Sequence, residues 1–344
     1  MLAEIDSFQA QDIPLLDVRS PAEFAKGHIP GAVSLPLFSN EERKLVGTTY
    51  KQVGPKEAFQ QGLDLVGPKM SHFVQMGEKL SHNGQVKLYC WRGGKRSQSI
   101  GWLLQQAGLQ VTVLRGGYRS YRQKALKKLS EPANLMVIGG HTGCGKTEIL
   151  QRLEQMGEQV LDLEGLANHR GSAFGGIGQP KQPSNEQFFN MVWEKWSRMD
   201  TSRTIWIENE SLCIGRVVVP EALLAQMKKA PLLLLNAPNT LRVQYLIKLY
   251  GSQPKSDIAN AVQKISKKLG SHDAKQILNQ LASGDLTAVV NRLLKYYDKR
   301  YQYGLNRTDK SRMQKIELKK VPQSWDEWLD KISVLLKGHP ETTI

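Results

Sequence analysis

NLMVIGGHTGCGKTEILQRLEQ, residues 134–155, decides how the chain is read. Its centre, Gly140 to Thr147, is a complete G-x-x-x-x-G-K-T phosphate loop. The apolar run LMVIG predicts a strand leading in, and TEILQRLEQ a helix leading out, from about Lys146 to Gly157. In that order, Gly140, Gly143 and Gly145 let backbone N–H groups turn inward around phosphate oxygens. The helix N-terminus adds its partial positive charge. Lys146 is expected to reach the terminal phosphates, and the Thr147 hydroxyl to ligate Mg²⁺.

Towards the C-terminus the strand pattern repeats in QVLDLE, TIWIENE and PLLLLNA. Acids at strand ends usually complete a phosphate-loop site, and Asp162, Glu164, Glu208 and Glu210 stand there; each also reads as a solvated strand-end residue. LEGLANHRGSAFGG follows a strand as a polar, glycine-rich loop carrying His169, Arg170 and Ser172. Cys144 reads as a small filler inside the phosphate loop, and Cys213, in SLCIG, as core packing. After about residue 237 strand signals fade into helical runs, LRVQYLIKLYG and LTAVVNRLLKYYDKRYQYG, rich in Lys, Arg and Tyr. Lys295, Lys299 and Arg300 alternate there with Tyr296, Tyr297, Tyr301 and Tyr303, a pattern suited to RNA. Tyr297 and Tyr301 also share an apolar face with Val290 and Leu294.

Towards the N-terminus, YRSYRQKALKKLSEP is a cationic helix or linker closed by Pro132, with Arg119, Arg122, Lys124, Lys127 and Lys128 as further RNA candidates. Before it lie the strand-like runs IPLLDVRS, GAVSLPL, VKLYC and VTVLRGG. SQSIGWLLQQAG between the last two carries a helical stripe at Ile100, Leu103, Leu104 and Ala107. Strand, helix and strand in that order make a βαβ unit. Cys90 closes one of these strands and precedes WRGGKRS. Inward-facing N–H groups and a helix N-terminus favour the thiolate there, and Arg92, Lys95 and Arg96 would hold an anion. Such a cradle suits attack on sulfur, selenium or phosphorus. A buried structural cysteine is the plainer alternative.

The chain's 344 residues are comfortable for two domains, and 40% hydrophobic with 23% charged residues excludes a disordered chain, a collagen or a coiled coil. Lys and Arg number 47 against 32 Asp and Glu, a net charge of +15 that favours a polyanionic partner. Three distant cysteines argue against a disulfide framework and for a reducing compartment. The acidic N-terminus does not read as a signal peptide, and no apolar run approaches the roughly twenty residues of a membrane span. The expectation is a cytoplasmic protein with no membrane partner.

DVRSPAEFAKGHIPGAVSLPL, residues 17–37, and RGGYRSYR, residues 115–122, resemble a rhodanese domain. Asp17 and Arg19 would sit at a strand end, with His28 to Ala32 in the next turn. The loop from Cys90 to Arg96 has five intervening residues rather than the usual four, as in dual-specificity phosphatases of that fold. The wider cradle suits phosphate or selenophosphate better than thiosulfate. With YCWRGGKRS, GGHTGCGKT, LEGLANHRGSAFGGIG, IENES and IGRVVVP, nearly the whole chain resembles the tRNA 2-selenouridine synthase family.

That resemblance implies an α/β protein with a rhodanese-like domain over 1–130, a P-loop NTPase-like domain over 131–240, and a helical, basic region over 241–344 packed on the latter. It implies exchange of sulfur for selenium in the wobble 2-thiouridine of tRNA, by S-geranylation with geranyl diphosphate and then selenation with selenophosphate. Gly143, Gly145, Lys146 and Thr147 would hold the diphosphate, with Mg²⁺ where needed and no tightly bound cofactor. Cys90 would carry selenium or assist displacement, with Arg92 and Arg96 binding selenophosphate. Glu164, His169, Arg170, Ser172, Glu208 and Glu210 would form the second-domain pocket. The partners would be tRNA and the enzyme that supplies selenophosphate. Two rival readings are a nucleotide kinase fused to a rhodanese-fold phosphatase, and a nucleotide-gated RNA-binding scaffold.

Overall fold

The apolar runs closed by Gly, Pro or polar turns become buried parallel strands. The structure, a computed structural model, describes residues 2–4, 8, 13–317, 326, 329, 330 and 333. It divides into two compact units, Met1–Lys128 and Leu129–Ile344.

The first unit contains β1 (Leu2–Ala3), β2 (Leu15–Asp17), β3 (Val33–Ser34), β4 (Gln85–Tyr89) and β5 (Gln110–Leu114). Its helices are α1 (Pro21–Lys26), α2 (Asn40–Gln52), α3 (Pro55–Val66), α4 (Met70–Leu80), α5 (Lys95–Gln106) and α6 (Gly117–Leu129). The sheet is parallel throughout, in the order β1-β5-β4-β2-β3. Leu16, Val86, Leu88 and Val111 from the strands pack with Ile100 and Leu104 from α5. Reciprocal caps, Ser20 with Glu23 and Ser39 with Glu42, start α1 and α2.

The second unit opens with β6 (Leu135–Gly140), α7 (Lys146–Gln155), β7 (Gln159–Leu161), α8 (Leu163–Ala167) and α9 (Asn185–Trp196). It continues with β8 (Ile205–Glu208), β9 (Cys213–Ile214), β10 (Val217–Val218), α10 (Glu221–Met227) and β11 (Leu232–Asn236). Four helices follow, α11 (Asn239–Tyr250), α12 (Lys255–Leu269), α13 (Ser271–Ser283) and α14 (Leu286–Leu305), and then β12 (Met313–Glu317). The parallel sheet runs β12-β11-β6-β8-β7. The phosphate-loop strand is thus central, with Gly140 beside Leu235 and Ile138 beside Glu208. Ligands of such sheets bind beyond the carboxyl ends of the strands, where the loop lies. Ile258, Val262, Ile277, Val289 and Leu293 of α12–α14 form a separate helical core.

Two sequence expectations need correcting, and one left open between helix and linker is decided. Strands do not stop near residue 237: β12 pairs with β11 at the sheet edge, and its mixed composition, MQKIE, hid it. YRSYRQKALKK is an integral helix rather than a linker, because Tyr118, Tyr121, Ala125 and Leu129 recur at helical spacing and are fully buried. Cys213 is exposed, not core. In the antiparallel β9–β10 pair, alternation turns Ile214 and Val217 inward and Cys213 and Val218 outward.

Candidate active sites

In the second unit the phosphate loop opens onto a cavity of about 330 Å³. Gly140, Gly143, Gly145, Lys146 and Thr147 line one part of it, with Glu164, Arg170, Ser172, Asn209 and Glu210 around them. Leu246, Leu286, Val289, Val290, Leu293 and Leu294 line the rest. Polar head and hydrocarbon wall share one space.

Side chains distant in sequence brace the loop. Tyr301 of α14 accepts a hydrogen bond from the Gly140 N–H at 2.6 Å. Arg242 of α11 donates to the Thr142 carbonyl at 2.8 Å and pairs with Asp298 at 2.5 Å. Asp298 also lies 3.2 Å from His141 Nδ1. Burial would raise the Asp298 carboxyl, but His141 and Arg242 outweigh it and hold it at about 2. Tyr245 donates to Glu148 at the start of α7.

Charge is divided within the cavity. Burial opposes the Lys146 ammonium, yet Cys144, Glu164, Tyr301 and Glu210 outweigh it and hold its pKa above the usual range. Its Nζ lies 3.2 Å from the Gly140 carbonyl. Glu164, 8% exposed, accepts from the Thr147 hydroxyl at 3.3 Å. Burial, and then the charge of Glu164, push Glu210 up to about 8. Two carboxyls so placed share a proton.

Glu208 and His169, expected in the pocket, do not line it. Glu208 is fully buried and accepts from Leu163 N–H at 3.0 Å, fixing the start of α8. Burial, then Asp162 and Glu164, hold its carboxyl well above the usual range. Asp162 caps α8 through Gly165 N–H at 2.7 Å. The His169 ring packs against glycines 175, 176 and 215, and burial lowers its pKa. Cys144 is buried in the loop as expected.

In the first unit Cys90 follows β4 and is 3% exposed. Ser97, in the first turn of α5, donates to its sulfur at 3.2 Å. Tyr118 N–H donates to the Cys90 carbonyl at 2.9 Å, and Arg119 N–H to that of Trp91 at 3.0 Å. Gly117 makes this approach possible: its φ is +61°, and a Cβ there would overlap the Cys90 carbonyl. Beneath, Arg19 is fully paired with Asp17 and stacks 3.9 Å from the Tyr118 ring. Arg96 bonds Glu23 at 2.7 Å, Lys95 lies over Phe59, and Arg92 is exposed.

Of the RNA candidates, Arg119, Lys127, Lys128, Lys295, Lys299 and Arg300 have exposed side chains, while Arg122 is half-buried. Arg300 bonds Tyr296 at 3.1 Å. Tyr297 and Tyr301 line the cavity, leaving Tyr303 exposed. Sequence reasoning missed Arg242, Asp298 and Tyr245, which carry no motif, and passed over Asn209 within IENES; helical spacing did flag Tyr301.

Residues 133–332 match the family model described as the tRNA 2-selenouridine synthase AAA domain, and residues 2–124 match the rhodanese-like domain. The chain is 33% identical to a tRNA 2-selenouridine synthase from Sulfurovum sp. (strain NBC37-1), over 89% of this chain and 92% of that protein. It is 32% identical to one from Shewanella denitrificans, over 96% and 97%. A third, from Psychromonas ingrahamii, is 31% identical over 92% and 93%.

Proposed function

The chain belongs to the tRNA 2-selenouridine synthase family, and we propose that it exchanges sulfur for selenium in the wobble 2-thiouridine of tRNA in two steps. The thiocarbonyl sulfur attacks C1 of geranyl diphosphate; the C–S bond forms, the C–O bond breaks, diphosphate leaves with the electron pair and N3 releases its proton. Selenium of selenophosphate then attacks C2, the geranylthio group leaves with its electrons, and water cleaves the Se–P bond. Alkylation turns a poor sulfur leaving group into a good one.

One observation carries the first step: the phosphate loop and the hydrocarbon wall line a single cavity. A diphosphate with an apolar tail matches that pairing, whereas a nucleotide would set its sugar and base against Leu286, Val289 and Leu293. Lys146 and the loop N–H groups neutralise the departing diphosphate. Among the described residues no three His, Cys, Asp or Glu side chains converge on a metal position. Mg²⁺ would rest on Thr147, Glu164 and substrate oxygens, its usual sparing use of protein ligands, and would supply charge to the leaving group.

Cys90 acts at the selenium step. Ser97 donates to its sulfur at the start of α5, and the exposed Arg92 supplies positive charge for selenophosphate, while Arg96 is held by Glu23. Exposed cations of α6 and α14 suit the tRNA backbone. No helix among the described residues is long and apolar enough to cross a membrane.

Calorimetric titration tests the cavity reading. Geranyl diphosphate should bind more tightly than ATP, and Lys146→Ala should weaken it. Preference for ATP would overturn the reading in favour of phosphotransfer.

A further inference from the structure

The segment after α8, residues 168–178, runs from the polar part of the cavity to its apolar part. Gly171 stands beside Glu164 and Glu210, while Phe174 joins the helical core. Gly171 makes the route passable. Its φ is +66°, and a Cβ there would come within 2.9 Å of Glu164 and 3.0 Å of Glu210.

Phe174 is 6% exposed and packs in the cluster of Ile258, Val289 and Leu293. Tyr250 and Tyr297 meet its ring edge-on, each with centroids 6.4 Å away, at 65° and 71°. Such edge-on pairs are favourable and directional. The backbone is held as well: Phe174 N–H donates to Ser172 Oγ at 3.1 Å, and Ile177 N–H to the Phe174 carbonyl at 3.0 Å. All three rings line the cavity.

We propose that Phe174, clamped between Tyr250 and Tyr297, is the end wall of the hydrocarbon pocket and sets how many isoprene units the chain accepts on an allylic diphosphate. The proposal rests on the geranyl diphosphate reading of this site. Protein interiors are close-packed, so a ring fixed on both sides is a stop that a longer chain must displace. A shorter chain leaves apolar surface uncovered. One methylene too many or too few is worth roughly 10–200-fold in selectivity, and an isoprene unit brings several carbons.

The test measures kcat/KM for dimethylallyl, geranyl and farnesyl diphosphates, using the full chain and thiolated tRNA, with modified nucleosides read by mass. Wild type should prefer geranyl diphosphate. Phe174→Leu and Phe174→Ala should raise the farnesyl-to-geranyl ratio at least ~10-fold. Val290→Phe adds bulk at a half-buried cavity position and should shift preference toward dimethylallyl. Thermal melts identify folded variants; should Phe174→Ala unfold, the other two still decide. Unchanged ratios in the folded variants overturn the end-wall assignment while leaving prenyl transfer intact. Failure of wild type with all three diphosphates overturns the diphosphate reading itself.

Discussion

The Tyr301 hydroxyl accepts the Gly140 N–H at 2.6 Å, joining residues 161 positions apart. Through it α14 reaches the first glycine of the phosphate loop, and Arg242 and Asp298 extend the brace to Thr142 and His141. The helical region therefore shapes the phosphate site as well as walling its apolar part. Tyr301→Phe leaves a loop N–H without its acceptor, at a cost of about 1–3 kcal/mol. We expect a lower melting temperature and weaker geranyl diphosphate binding; an unchanged Kd would contradict the brace.

On the proposed geranyl diphosphate reading, Lys146 neutralises the leaving diphosphate. Lys146→Ala should cut geranyl transfer by ~10²-fold or more, the scale for losing one preorganised charge-stabilising donor. Single-turnover assays at saturating geranyl diphosphate check this. A change in KM alone would mean that Lys146 binds without acting on departure.

Glu210 supplies a pH signature. Its carboxyl is raised from 4.5 to about 8 by burial and by Glu164. Stability from its protonated form is fully present below about pH 4.5 and is lost as pH rises through about 8. Glu210→Gln should therefore unfold at higher denaturant than wild type at pH 8.5, and the difference should vanish near pH 4. Chemical denaturation in EDTA at both values reads this directly; equal midpoints at pH 8.5 would remove the shared proton.

Lys295, Lys299 and Arg300 point to RNA through charge rather than motif. If they meet phosphates, neutralising them should flatten the dependence of tRNA affinity on log salt by ~0.7–0.9 for each phosphate left without its cation. Filter binding across a salt series measures it. An unaltered slope would place the RNA surface elsewhere.

Legibility in the sequence followed how local the determinants are. The phosphate loop and the Cys90 turn are contiguous, so their strand–loop–helix settings could be read directly. The strands LMVIG, TIWIE and LLLLN are apolar runs, and a parallel sheet buried on both faces requires them. By contrast, β12 is a mixed edge strand whose pairing with β11 depends on chain folded far away. Arg242 and Asp298 look like ordinary helical charges until α11 and α14 bring them together. Glu208 and Glu210 are two residues apart and indistinguishable in sequence. Only the end of β8 separates them, Glu208 turning under α8 and Glu210 into the cavity.

The most direct test is nucleoside mass spectrometry on thiolated tRNA incubated with geranyl diphosphate, selenophosphate, both or neither. We predict S-geranyl-2-thiouridine with the first alone and 2-selenouridine with both. Cys90→Ala should stop at the geranylated nucleoside, and Lys146→Ala should leave 2-thiouridine unchanged. Selenium incorporation at the wild-type rate by Lys146→Ala, or without geranyl diphosphate, would contradict the two-step assignment.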